Sequence, residues 1–90
     1  MLKHPFLEVT YRKGKAFAGY LHLRQPPPGE RCQTEEIRPG VLVDRDSAGE
    51  PLGIEFLAPG SVTTEDLRAI GEHVRGVSVP TEDLEPILAR

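Results

Sequence analysis

Residues 41–57 read VLVDRDSAGEPLGIEFL, and this stretch determines the fold that we predict for the chain. Two runs rich in Val, Ile, Leu and Phe flank a short loop that ends in Gly49. This pattern is typical of a β-hairpin, and a loop with glycine last fits a type I turn followed by a glycine bulge. The turn predicts a register in which Leu42 lies opposite Ile54 and Asp46 lies opposite Glu50.

This register leaves apolar side chains on both faces of the hairpin, because successive side chains of a strand point to opposite sides. One face carries Leu42, Leu52, Ile54 and Phe56, and the other carries Val41, Val43 and Leu57. An antiparallel sheet with one wet face alternates more cleanly between apolar and polar residues. We therefore expect both faces of the sheet to be covered.

Three further strand patterns precede the hairpin, over residues 6–13, 16–24 and 31–37. The first two are joined through Gly14, which favours a tight antiparallel turn because glycine accepts a positive φ. The stretch 25–30, QPPPGE, is excluded from any strand interior because its prolines lack the N–H that a ladder needs. The chain therefore contains about five predicted strands.

A helix follows the strands. Thr63 or Thr64 is a suitable N-cap, Asp66 suits the first turn, and Gly76 suits a left-handed C-terminal end. Apolar residues recur at helical spacing at Leu67, Ile70 and Val74. Beyond the helix, residues 77–79 favour an extended piece, and a second helix start at residues 80–83 is limited to about one turn by Pro86.

The pattern predicts an α+β fold in which a mainly antiparallel sheet of about five strands carries a C-terminal helix on one face. Residues 1–90 form one predicted domain, with a β-meander over 7–57 and a helical extension over 58–90. Because one amphipathic helix covers only one face, we expect the second face, or an open sheet edge, to be buried against another copy. We therefore expect a two-fold homodimer in which Val41, Val43, Leu57 and the aromatic strand face take part.

Charge is distributed unevenly along the 90 residues, whose net charge is −3. Residues 1–31 hold six basic and two acidic residues, whereas residues 32–90 hold five basic and twelve acidic ones. The net acidity argues against nucleic-acid binding, although Arg12, Lys13 and Lys15 cluster with aromatic residues at one hairpin tip. Opposite-sign halves of this kind often pack against each other or against a neighbouring copy, and the alternative interpretation is that the charges simply keep the surface solvated.

Cysteine usage and hydropathy limit the location of the protein. The single cysteine, Cys32, excludes an internal disulfide, and a reducing cytoplasm is the expected compartment. The N-terminal residues lack the apolar run of a signal peptide, and no window approaches the ~20 apolar residues of a membrane span, so we expect no membrane association.

Part of the chain resembles a known family. Residues 34–36 (TEE), 39–46 (PGVLVDRD) and 53–57 (GIEFL) resemble the bacterial domain of unknown function 2283, and the similarity covers about residues 7–57. The chain departs from that family at residues 12–15, RKGK, where a basic loop replaces the family's acidic one. Some members are thought to be encoded beside ribonuclease-like toxins, so the resemblance suggests an antitoxin-like role with a protein partner.

The sequence offers little chemistry. His4, His22 and His73 fall on a terminus, a strand and a helix without ligand spacing, so we expect no metal site, no cofactor and no catalytic residue. In the predicted register Asp44 and Glu55 point to opposite faces, which argues against a carboxylate dyad. Glu55 would share the face of the valines, which favours a salt bridge to an arginine such as Arg24 or Arg38, with a solvated rim position and a catalytic role as the alternatives.

Two functional hypotheses stay open. The first is a non-enzymatic, self-associating interaction or regulatory module. The second is a small-molecule binder or enzyme with a pocket at a subunit seam near Glu55, Tyr20 and His22. The candidate ligand or interface residues are Glu55, Asp44, Tyr20, His22, Val41, Val43 and Leu57.

Overall fold

The computed structural model describes residues 5–26, 28–29, 31–74 and 81–89, without the side chains of residues 81 and 83. It shows an α+β fold in which a five-stranded antiparallel sheet packs against a helix, as predicted. The elements are β1 (Phe6–Arg12), β2 (Lys15–His22), β3 (Gln33–Arg38), β4 (Val41–Arg45), β5 (Pro51–Phe56), α1 (Thr64–His73) and a 3₁₀ helix (Thr81–Ile87). The strand order is β1-β2-β5-β4-β3.

The register between β4 and β5 differs from the prediction by one residue. At the turn the N–H of Asp46 donates to the carbonyl of Glu50 (2.9 Å), as predicted. Beyond it the register shifts between Asp44 and Arg45, so that Val43 lies opposite Ile54. The predicted pairing of Leu42 with Ile54 is therefore wrong, because β5 accommodates an extra residue, Leu52, that turn chemistry does not reveal.

The shift places four large apolar side chains on a single face, because directly opposed residues of an antiparallel pair share a face. They are Val41, Val43, Ile54 and Phe56, and they join one buried core cluster with residues of β2, α1 and the 3₁₀ helix. Val41 and Val43 are 3% and 0% exposed within this chain. Their predicted role in an interface between copies is therefore wrong.

The C-terminal segment covers the part of this core face next to β1 and β2. Ile87 is fully buried, and a Cβ on Gly19 of β2 would lie 3.1 Å from its Cγ2. The carbonyl of Ile87 accepts from the N–H groups of Gly60 (2.8 Å) and Val62 (3.2 Å). The predicted single turn is in fact a seven-residue 3₁₀ helix that includes Pro86. The core face is thus closed by two elements, whereas the sequence indicated one.

Helix α1 begins as predicted. The hydroxyl of Thr63, its N-cap, accepts from the N–H of Asp66, and the Asp66 carboxylate accepts from the N–H of Thr63 (2.9 Å), which together form a capping box. Arg38 of β3 donates from Nε to Asp66 (2.8 Å), so the cap also joins the helix to the sheet. At the other end of α1, Arg45 donates to the carbonyl of His73 (3.1 Å). The end predicted at Gly76, and residues 77–79, lie outside the described residues.

Asp66→Ala should lower the free energy of unfolding by about 2 kcal/mol, because it removes the cap and leaves Arg38 without its partner. Burial alone would raise the pKa of the Asp66 carboxyl, but hydrogen bonds from Thr63 and Arg38 outweigh burial and hold that pKa below its ordinary value of 3.8. The stabilisation is therefore present above about pH 3.8 and is lost as the pH falls through the lower folded-state pKa.

Denaturant titrations of the wild type and the variant at several pH values test this. The control is Glu65→Ala, which removes an exposed carboxylate of the same turn and should change stability by less than about 0.5 kcal/mol. A difference between Asp66→Ala and the wild type that persists unchanged in strong acid would contradict the assignment.

Candidate functional site

The face of the sheet opposite the core, called here the open face, carries two rows of side chains that cross all five strands. The first row is Phe6, His22, Gly53, Asp44 and Thr34, and the second is Glu8, Tyr20, Glu55, Leu42 and Glu36. The described helices pack on the core side, so among the described residues these rows are not covered by a helix.

Three rings form a continuous strip at the β1–β2 end of the rows. Phe6 stacks on His22 with centroids 4.3 Å apart and an interplanar angle of 11°. Tyr20 meets the same imidazole edge-on, at 4.6 Å and 60°. His22 Nε2 lies 2.9 Å from Glu8 Oε1, which holds the imidazole in the strip. All three rings are only half-buried.

The Tyr20 ring crosses β5 because residue 53 is glycine. A Cβ at Gly53 would collide with the phenol ring, so only glycine leaves room for it. The Tyr20 hydroxyl donates to Asp44 Oδ2 (2.8 Å), and the Thr34 hydroxyl donates to Asp44 Oδ1 (2.7 Å). A chain of hydrogen bonds therefore runs from β2 to β3.

Burial, followed by the hydrogen bond to the Asp44 carboxylate and its negative charge, raises the pKa of the Tyr20 phenol well above its ordinary value of 10.0. The phenol therefore stays protonated and keeps donating at all physiological pH values. The two rows carry four carboxylates (Glu8, Glu36, Asp44 and Glu55) and no lysine or arginine, so the open face is acidic.

A shallow depression of about 290 Å³ lies at one end of the open face. Its described lining consists of Tyr20, His22, Arg24, Pro26, Cys32 and Leu52. Leu52, the extra residue of β5, is 3% exposed but does not belong to the core cluster, so it forms the floor. Cys32 at the rim is an exposed free thiol.

Arg24 at the rim of the depression is held by Asp46. The N–H of Glu50 makes the largest contribution to the low pKa of the Asp46 carboxyl, burial opposes it, and Arg24 and the N–H of Ala48 lower it further. The ionised carboxylate thus joins the end of β2 to the β4–β5 turn.

The structure brings four of the predicted site residues together, since Tyr20, His22, Asp44 and Glu55 all lie in the two rows. The prediction that Asp44 and Glu55 point to opposite faces is wrong, because the one-residue register shift between β4 and β5 places both side chains on the open face. Leu57 lies two residues beyond Glu55, and its N–H donates to the Gly40 carbonyl (2.9 Å), which continues the strand pairing. Its side chain therefore lies on the same side as Glu55, at the edge of the open face, where it is 52% exposed.

The predicted partners of Glu55 are also wrong, because Arg24 binds Asp46 and Arg38 binds Asp66. Sequence reasoning missed Phe6, Gly53 and Leu52 as site residues. Their roles depend on cross-strand neighbours, and no local pattern marks them.

A second exposed feature adjoins the open face. Strand β2 pairs with β5 only over Gly19–His22, so residues 10–18 project as a two-stranded hairpin, called here the hairpin arm. The register shift at Thr10/Tyr11 leaves Phe17 as an extra residue of β2, and its side chain is 51% exposed. Tyr11 is 60% exposed, and the Arg12 guanidinium lies 4.4 Å over the Phe17 ring.

Comparisons with protein families, curated proteins and solved structures find no match for this chain. The resemblance of residues 7–57 to domain of unknown function 2283 therefore stays a prediction. In the part of the chain that the structure describes, no group of three or more His, Cys, Asp and Glu side chains is arranged to hold a metal ion. None of its described helices has the length and apolarity to cross a membrane.

Asp44→Asn should lower the pKa of Tyr20 toward 10.0, because it removes the carboxylate that binds the phenol proton. Absorbance titration of the phenolate measures this, in a Tyr11→Phe background where Tyr20 is the one remaining tyrosine. Glu35→Gln is the matched control, since Glu35 lies opposite Val43 and so shares the core side. An unchanged Tyr20 titration in Asp44→Asn would contradict the Tyr20–Asp44 hydrogen bond.

Proposed function

We propose that this chain is a non-enzymatic interaction module that forms a two-fold homodimer through its open face. The observation that carries the proposal is the half-buried strip of Phe6, His22 and Tyr20 on a face that the described helices do not cover. Aromatic side chains such as those of Tyr and Phe are enriched at protein interfaces.

The apolar content of the open face supports a protein partner. Leu42 lies among the carboxylates of the second row, and Leu57 continues the face at its edge. Burying such side chains contributes about 25 cal/mol for each Å² of apolar surface removed from water. The predicted interface residues Tyr20, His22 and Leu57 are retained in this proposal, whereas Val41 and Val43 are replaced by Phe6 and Leu42.

The hydrogen bonding of the face supports a role without catalysis. Both oxygens of Asp44 accept hydrogen bonds from within the chain, and Glu8 is held against His22. An acid or base catalyst needs a titrating group with access to a substrate proton. Asp44 and Glu8 instead hold the Tyr20 and His22 rings in one arrangement, which suits recognition of a fixed surface.

The same face suits a different protein partner in the antitoxin-like role that the family resemblance suggests. We place the protein in the cytoplasm, because its one cysteine is an exposed free thiol. Purification of the tagged chain from its native cells, followed by mass spectrometry, would identify such a partner. Recovery of a second protein in equal amount would favour that role over the homodimer.

Light scattering at micromolar concentration should give the mass of two chains for the wild type and of one chain for Leu57→Glu. The glutamate adds a charge to the interface at an exposed position, so it should leave the fold intact. The control is Ala48→Glu, which places the same side chain on the exposed β4–β5 turn and should remain dimeric. A wild-type protein that stays at the mass of one chain would overturn the proposal.

A second candidate function is the binding of a small flat molecule in the depression over Leu52. The observation that favours it is a volume of about 290 Å³ between the Tyr20 and His22 rings and the anchored Arg24. This volume lies just below the range of about 300–1,000 Å³ that ligand pockets usually have. Glu55, expected near such a pocket, is not among its described lining residues.

A panel of aromatic heterocycles, screened by saturation-transfer nuclear magnetic resonance, tests this second candidate. Binding should be lost in Cys32→Trp, which narrows the exposed rim, and retained in Ala48→Glu. A panel without any binder, or binding that Cys32→Trp leaves unchanged, would contradict it.

A further inference from the structure

The open face and the hairpin arm carry opposite charges. The arm, residues 10–18 (TYRKGKAFA), contains Arg12, Lys13 and Lys15 and no carboxylate. The two rows of the open face contain four carboxylates. If the open faces of two copies met directly, these like charges would repel one another across the interface.

The hairpin arm enlarges the surface that a second copy can contact. The arm extends past the β5 pairing by Lys15–Ala18, which at about 3.4 Å per residue is roughly 14 Å of additional two-stranded surface.

The exposed apolar side chains lie on the same two features. The large hydrophobic residues that are exposed in the described part of the chain are Tyr11, Phe17 and Leu57. The first two are on the arm and the third is at the edge of the open face. The Arg12 guanidinium over the Phe17 ring holds that ring at the arm's surface.

We propose that the hairpin arm of each copy lies across the open face of a second copy of this chain, an inference that rests on the proposed homodimer. Arg12, Lys13 and Lys15 meet the carboxylates of Glu36 and Glu55, which the aromatic strip does not use. Tyr11 and Phe17 cover the apolar surface of Leu42 and Leu57. Two-fold symmetry repeats the contact, because the face of the first copy receives the arm of the second.

Reversing charges on the arm and on the face tests this contact. An arm-reversed variant carries Lys13→Glu and Lys15→Glu, and a face-reversed variant carries Glu36→Lys and Glu55→Lys. Each alone should weaken dimerisation by at least about tenfold in sedimentation equilibrium, since each interface then opposes like charges. Mixed together they should form a one-to-one heterodimer as stable as the wild-type dimer, because both arm–face contacts regain opposite charges.

The combined variant with all four reversals should dimerise with itself, which also shows that each substitution leaves the fold intact. The affinity of the wild-type dimer should fall as salt is raised. A dimeric wild type whose arm-reversed variant is equally dimeric would overturn the arm contact and leave the homodimer standing. A monomeric wild type would overturn both.

Failure of the mixture to restore the dimer would overturn the pairing of arm with face. The alternative ligand for the cations and aromatic rings of the arm is single-stranded nucleic acid. Fluorescence anisotropy with a labelled single-stranded oligonucleotide tests it on the same variants. Tight binding by the wild type as a monomer, lost in the arm-reversed variant, would replace the present proposal.

Discussion

One extra residue in β5 determines which side chains of the central hairpin face the helix. Side chains of a strand alternate with a period of two, so a shift of one residue exchanges the two faces. With Leu52 displaced from the ladder, the valines of β4 and the Ile54 and Phe56 side chains of β5 lie on one side. The shift therefore collects the apolar side chains into a single core. Each fully buried side chain of this kind contributes about 1.5–3 kcal/mol to the stability of the fold.

The same displacement shapes the open face. Leu52 becomes an apolar floor beneath Arg24 and Pro26, and Gly53 comes beneath the Tyr20 ring. Asp46, at the turn, accepts hydrogen bonds from Arg24 and from the loop backbone, which ties the end of β2 to the bulged hairpin. The core and the geometry of the open face therefore both depend on one local irregularity.

Basic and acidic side chains lie on different surfaces of this small domain. The hairpin arm is basic and the open face is acidic, so the two surfaces are electrostatically complementary, as the proposed arm-to-face dimer requires. Two-fold association requires that a surface match itself after rotation, and separated opposite charges satisfy that requirement. In the proposed dimer, Tyr11 and Phe17 of the arm and Leu42 and Leu57 of the open face supply the apolar surface that charge alone does not.

Much of the fold was predictable from local signals. Gly14 and the loop ending in Gly49 mark turns, Thr63 and Asp66 mark the helix start, and the strand patterns mark an antiparallel sheet, because each depends on a few neighbouring residues. The grouping of Tyr20, His22, Asp44 and Glu55 was predictable only as a set of candidate residues. Its geometry follows from strand pairing over long sequence separations, which local sequence patterns do not indicate.

The sequence by itself determined the element order, the α+β class, the helix cap and the uneven distribution of charge. Only the tertiary structure decided which face of β4 and β5 is the core, that the 3₁₀ helix closes it beside α1, and that the arm projects beyond the sheet. The physical reason is that a bulge changes the free energy of its own strand segment only a little. Its position is chosen by the packing of Val43, Ile54 and Phe56 against segments distant in the chain.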